Sequence, residues 1–104
     1  MTVLELNHIA LYVADLEASI HFYSKVLGLP VLPRPDFGFP GAWFRLGLTQ
    51  ELHLIVGRTE PVHNHHRQTH FALLVPSVAK AATHAQAHGI PSGNFAKSMI
   101  YGSS

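Results

Sequence analysis

The sequence predicts an α+β protein made of two units on one plan, a strand and a helix followed by further strands (βαβββ), with the second unit incomplete. Three observations lead there. The segment Asn7-His8-Ile9-Ala10-Leu11-Tyr12-Val13 returns as Thr69-His70-Phe71-Ala72-Leu73-Leu74-Val75. Each copy alternates as a strand does and then passes into the spacing of a helix. Both copies close on a glycine, in Gly28-Leu29-Pro30 and Gly89-Ile90-Pro91. A repeat of this kind is one supersecondary unit, too small to bury its own apolar face. Two such units facing each other would bring His8 and His70 into one space.

The bulk properties permit one domain and exclude several functions. The chain has 104 residues, 47% of them apolar, enough for a core of its own. A net charge of +1 with 12% charged residues leaves no basic stripe for nucleic acid and no acidic tail. Nine histidines add positive charge as the pH falls. There is no cysteine, so a metal site must be built from histidine, carboxylate or water. No apolar run approaches the roughly 20 residues of a membrane span. Residues 1–7 lack a charged region followed by a long apolar stretch, so no secretory leader is expected. The expected setting is the cytoplasm.

Taken in order, residues 4–13 read as a strand. Leu6, His8, Ala10 and Tyr12 share one face, and Ile9, Leu11 and Val13 the other. The apolar Ile9 face belongs under a helix. The mixed His8 face suits a lined cavity. Asp15 is placed to cap a helix over 16–27, whose apolar stripe is Leu16, Ile20, Tyr23 and Leu27. Gly28 ends it as a left-handed cap, with Pro30 just beyond. Pro30, Pro33, Pro35 and Pro40 break the next stretch of chain into a short edge strand and a loop. Residues 42–46 and 51–56 read as two strands joined around Gly47-Leu48-Thr49-Gln50. In the second, Glu51, His53 and Ile55 share a face opposite Leu52, Leu54 and Val56.

A polar linker over 59–67 separates unit one (1–58) from unit two (68–104). The second unit reads as a strand over 68–75, then a helix over 78–88 capped by Ser77 and ended by Gly89. The inner stripe of that helix is small: Val78, Ala81, Ala82 and Ala85. Residues 94–101 supply one more strand. By the length of the first unit the second is expected to be incomplete. An unsealed sheet leaves an edge strand to be covered, so a homodimer is expected.

Chemistry points first to His8, His53 and His70. Each lies within a strand, on the face opposite its most apolar neighbours. Three imidazoles converging from three strands suit zinc, iron, nickel, cobalt or copper rather than magnesium or calcium. Three protein ligands leave positions open for water or substrate. The competing account is three unrelated strand histidines, each hydrogen-bonded in a cleft. Trp43, Phe44 and Arg45, beside Phe37 and Phe39, offer aromatic surface and a cation for an aromatic or anionic substrate. By alternation Phe44 faces opposite to Trp43 and Arg45. The plainer account has Trp43 and Phe37 packing at a rim and Arg45 pairing with a surface carboxylate. Glu51 is the one carboxylate near His53 on the same strand face and hence the one candidate for a catalytic base; the plainer account is an exposed charge at a strand end. His63, His65 and His66 in the polar linker could capture a metal transiently, and His84 and His88, one turn apart on the second helix, could chelate adventitious nickel or zinc; the plainer account has both groups facing solvent. Arg34 carries little information.

The pattern His-Ile-Ala-Leu-x-Val, then Asp-Leu-x-x-Ser-Ile-x-Phe-Tyr-x-x-Val-Leu-Gly-Leu, resembles the vicinal oxygen chelate superfamily. Its members include glyoxalase I, the bleomycin- and fosfomycin-resistance proteins and the extradiol dioxygenases. The match is carried by residues 8–13, Asp15-Leu16, Ser19-Ile20, Phe22-Tyr23 and Val26-Leu27-Gly28-Leu29, and returns in 70–75. The resemblance implies paired βαβββ units whose mixed sheets curl into an open cup around a metal, with the helices outside. It implies first-strand ligands, which map to His8 and His70. In glyoxalase I a further ligand comes from the fourth strand of the first unit, where glutamate is usual. His53 stands there, a departure. Dioxygenases and fosfomycin-type enzymes do not use that position as a ligand. The family's last ligand is a glutamate on the final strand of the second unit, which this sequence does not reach.

The expected function is therefore a metal-dependent enzyme acting on a small molecule with adjacent oxygens, a glyoxalase-like lyase or an extradiol-type dioxygenase. Its cofactor would be divalent zinc, iron, nickel, cobalt or manganese. The alternative is a metal-free protein of the same fold that sequesters a small molecule such as an antibiotic. Neither requires nucleic acid or a membrane.

Overall fold

Helix and strands of the first unit form where its apolar residues fall. The computed structural model describes residues 1–60, 71–89 and 99–101. The chain divides into two compact units, essentially Met1–Glu60 and Pro61–Ser103. The expected copy of the histidine strand at 68–70, with His70, and the linker histidines His63, His65 and His66 lie outside the described residues.

In the first unit β1 (His8–Val13) leads into α1 (Leu16–His21). Asp15 caps the helix as expected, its carboxylate accepting from the Ala18 amide at 3.0 Å. The helical pattern over 16–27 does not stay α throughout. After His21 it widens into a π-helical stretch, Phe22–Val26, with the Leu27 amide donating to the Phe22 carbonyl. The Ser24 hydroxyl donates to the Ile20 carbonyl and so competes for the acceptor an α-turn would use. Gly28 then takes the left-handed conformation, φ 73°.

Three more strands complete the unit: β2 (Val31–Leu32), β3 (Gly41–Leu46) and β4 (Gln50–Val56). The sheet runs β1-β4-β3-β2, with β1 and β4 parallel and the other pairs antiparallel. Pro30 and Pro33 bound β2, which lies at the edge of the sheet, where flanking residues without an N–H cost no ladder bond. This open, mixed four-stranded sheet with its helix gives the α+β, βαβββ order anticipated from the sequence.

One face of the sheet is the core. Val13, Tyr23, Ala42, Phe44, Leu52 and Leu54 are buried together, with Ile9, Leu11, Leu16, Ile20 and Leu27 packed against them. The Ile9 face and the Leu52 face therefore both turn under α1. Burying side chains of this size contributes about 1.5–3 kcal/mol each, which fixes which face of β1 and β4 points inward.

The second unit has β5 (Phe71–Leu73) antiparallel to β6 (Met99–Tyr101), with α2 (Val78–Ala87) between them in sequence. The strand expected to reach residue 75 stops at Leu73. Pro76 follows three residues on, and its nitrogen cannot donate to a ladder. Ser77 caps α2, its Oγ accepting from the Lys80 amide at 3.2 Å. Ala85, on the small-residue stripe, is buried. Among the described residues no helix is long and apolar enough to cross a membrane.

Candidate functional site

The register of the first sheet arranges its other face in rungs. One rung is His8, Glu51 and Arg45. The next is Ala10, His53 and Trp43. The third is Tyr12, Ile55 and Gly41. The period of two puts all nine on the side away from α1. Residues from β1, β4 and β3 thus meet on a surface that the unit's own core leaves open.

The middle of that surface is a stack of rings. His8 and His53 lie 4.2 Å apart between centroids, with planes 15° apart. His53 and Trp43 lie 4.3 Å apart with planes 9° apart. Ala10, the rung partner of His53, carries only a methyl on β1, and the His8 ring occupies the diagonal beside it. Trp43 and His53 are direct cross-strand partners, the geometry in which aromatic side chains interact most closely.

Each imidazole has one nitrogen engaged. The Nδ1–H of His8 donates to Asn7 Oδ1 at 2.8 Å. The Nε2–H of His53 donates to Glu51 Oε1, also at 2.8 Å. In the neutral rings this leaves Nε2 of His8 and Nδ1 of His53 as the nitrogens with a free lone pair. His53 is 15% exposed and Glu51 28%, so the pair is reachable from solvent but shielded enough for its hydrogen bond to hold. Glu51 is therefore not a lone strand-end charge.

The remaining candidates divide between the two faces. Trp43 and Arg45 are half-buried on the His53 side, with Arg45 opposite Glu51 in register. Phe44 turns the other way. It is fully buried and packs toward the Tyr23 ring at 6.1 Å, so it shares no surface with Trp43. His84 and His88 lie on α2, in the second unit.

Sequence pattern left a neighbouring cluster almost unmarked. The Arg34 guanidinium lies 5.1 Å from the Phe37 ring centre and 5.0 Å from that of Phe39. Those two rings stack at 5.8 Å, and Phe37 stands 6.0 Å from Trp43. The aromatic run therefore continues from His8 through His53 and Trp43 into the loop before β3. An open depression of about 490 Å³ beside it is lined by Arg34, Pro35, Asp36, Gly38, Phe39, Pro40 and Gly41. Gly41 makes room for Arg34: a Cβ there would fall 2.9 Å from Arg34 Nε and 2.8 Å from the Leu54 carbonyl oxygen. The readable signal was the spacing Arg-x-x-Phe-x-Phe ahead of a strand-opening glycine. Loop geometry has no periodicity from which to infer it.

The donor chemistry of this face suits an imidazole-binding transition metal. Two rings are present, and each is oriented by an acceptor on its second nitrogen, the support that metal-bound histidines commonly have. The stack itself does not suit one ion held by both rings. Lone pairs lie in the ring planes, and in two nearly parallel rings they do not converge on a point about 2.1 Å from each nitrogen. Among the described residues no three His, Asp or Glu side chains gather to hold an ion.

Comparison with known proteins agrees with this architecture. Residues 5–102 match the family model of the glyoxalase/bleomycin resistance protein/dioxygenase superfamily. No curated protein gives a significant match to the chain. A glyoxalase family protein from Bacillus anthracis superposes with a TM-score of 0.73 at 20% identity, over 86% of this chain and 73% of that one. That likeness is one of fold. A lactoylglutathione lyase from Agrobacterium tumefaciens gives 0.64 at 26% identity, over 88% of this chain and 75% of that one. The oxidase ChaP-H2 gives 0.63 at 25% identity, over 86% of this chain and 65% of that one. With its family match spanning nearly the whole sequence, the chain belongs to the glyoxalase/bleomycin resistance protein/dioxygenase superfamily.

Proposed function

We propose that this protein is a metal-dependent vicinal oxygen chelate enzyme acting on a small molecule with two adjacent oxygens, in a glyoxalase-like lyase or extradiol-type dioxygenase reaction. The observation that carries this reading is the Glu51–His53 pair beside His8 on the open face of the sheet. His8 and His70 would hold a divalent transition metal, zinc, iron, nickel, cobalt or manganese. When bound, such an ion stabilises negative charge developing on neighbouring substrate oxygens.

The chain's own groups take distinct parts. His8 presents Nε2, because Asn7 Oδ1 holds its Nδ1–H. His53 takes a proton at Nδ1, because its Nε2–H is given to Glu51. The Glu51 carboxylate fixes that tautomer and stabilises the imidazolium once the proton has arrived. Trp43 covers one face of His53 and keeps water from it. Arg45, across from Glu51, offers a cation to an anionic substrate. His53 thus serves as a base rather than as the third ligand its position first suggested, because its ring lies parallel to that of His8. Glu51 is its positioning residue. The setting we propose is the cytoplasm, with the protein as a homodimer; β1 is an edge of its four-stranded sheet and invites cover.

The second reading, a metal-free small-molecule binder, is favoured by the unbroken aromatic run from His8 to Phe39 with Arg34 over it. Metal analysis of untagged protein separates the two. The enzyme reading expects a tightly held ion, lost in His8→Ala or His70→Ala and retained in His53→Ala and Glu51→Gln. It also expects the latter two to lose turnover on dicarbonyl or catechol substrates. Protein that holds no metal, and whose Trp43 emission is quenched by planar ligands, would be a binder instead.

A further inference from the structure

We propose that His84 and His88 form a second metal site, a two-imidazole clamp on the last turns of α2 that takes copper(II) most tightly among the common divalent ions. The site belongs to the second unit and does not depend on the function proposed for the sheet face of the first.

Spacing places the two rings together. Residues four apart on a helix stand one above the other on the same side. The His84 and His88 ring centres are 4.7 Å apart, with planes inclined at 55°. That inclination is the difference from His8 and His53. In a stack at 15° the in-plane lone pairs run side by side. In an inclined pair they can point at a common position outside the helix, as the two histidines of a helical His-x-x-x-His metal motif do.

The support is already formed. Ser77 caps the helix through the Lys80 amide, and alanines fill five of the ten positions of α2, so the backbone that carries the rings is a favourable helix without the ion. Both histidines are exposed, so a hydrated cation reaches them without desolvating the core. They sit at the C-terminal end, with His88 as the capping residue, where helix carbonyls favour a cation. Lys80, the charged residue of α2, stands a turn further from that end and beside His84 in a shallow depression with Ala79 and Thr83. The site is built from two imidazoles among the described residues, and so small a protein donor set leaves the ion exchangeable. Copper(II) heads the affinity order for nitrogen donors.

The test is a titration of the isotopically labelled full chain with copper(II) chloride, followed by amide spectra. The clamp expects sub-stoichiometric copper to broaden the signals of residues 84–89. His84→Gln or His88→Gln should relieve that broadening and weaken copper binding at this helix by at least the roughly tenfold that loss of even a supporting hydrogen bond costs a metal site. His8→Ala should leave the α2 broadening as it was. Sharp α2 signals while signals elsewhere broaden would overturn the proposal, as would broadening of α2 that survives both glutamine variants. Loss of the α2 effect in His8→Ala would overturn it too, because the clamp needs no ligand from the first unit.

Discussion

The imidazole of His53 lies flat between Trp43 and His8 and donates its Nε2–H to Glu51, so one side chain joins an aromatic stack to a carboxylate. The arrangement restrains His53 on both faces and at one edge. What remains is Nδ1, and a ring held this way is suited to proton transfer, since neither its tautomer nor its orientation has to change during the step.

This makes the response of Trp43 to metal a test of the role of His53. Trp43 is the single tryptophan of the chain, so its emission reports the stack alone. If His8 binds metal in its ring plane while His53 stays the base, saturation with zinc leaves the emission maximum in place. Removing the ring in His53→Ala uncovers the indole and shifts the maximum to the red. A zinc-induced shift in the native protein that disappears in His53→Ala would return His53 to the role of ligand.

The start of β3 tolerates no side chain. A Cβ on Gly41 would meet the Leu54 carbonyl oxygen at 2.8 Å as well as the Arg34 guanidinium. Arg34 can swing away, but the carbonyl belongs to the paired strand β4 and cannot. Gly41→Ala is expected to lower stability by about 1–3 kcal/mol, the usual range for overpacking. Urea unfolding measures this, and no measurable loss would show that β3 shifts freely.

Phe44 and Trp43 are neighbours in sequence with opposite duties. Phe44→Ala should cost about 3–5 kcal/mol, because the side chain is fully buried in the core. Phe44→Leu, which removes fewer buried atoms, should cost less than the alanine variant and should leave small-molecule affinity unchanged. Trp43→Ala should do the reverse, with little effect on the melt and a clear loss of affinity. Calorimetry of unfolding and of ligand binding together decide it. Weakened binding in the leucine variant at unchanged stability would place Phe44 at the ligand after all.

Much of this protein was legible from its sequence. The period of two in β1 and β4 assigned Ile9, Leu11, Leu52 and Leu54 to the core, and His8 and His53 to one open face. The caps at Asp15, Gly28 and Ser77 marked helix ends because each meets a need of the local backbone: an acceptor for free amides, or a positive φ. These are properties of residues and their immediate neighbours, which any chain carries before it folds.

Other features belong to the tertiary structure. Alternation puts His8 and His53 on the same face but says nothing about their relative height. The parallel register of β1 with β4 sets His53 opposite Ala10, and this turns two candidate ligands into a stack. The helix widens into a π-helical stretch after His21, where the Ser24 hydroxyl bonds the Ile20 carbonyl, and β5 stops at Leu73. Arg34 reaches the site through a loop whose conformation depends on Phe37, Phe39 and the bare backbone of Gly41. Register and loop packing are settled by contacts between residues far apart in the chain, whose energies exist only once the sheet has formed. Local pattern therefore decided which side of the sheet carries His8 and His53, and non-local packing decided how those side chains meet.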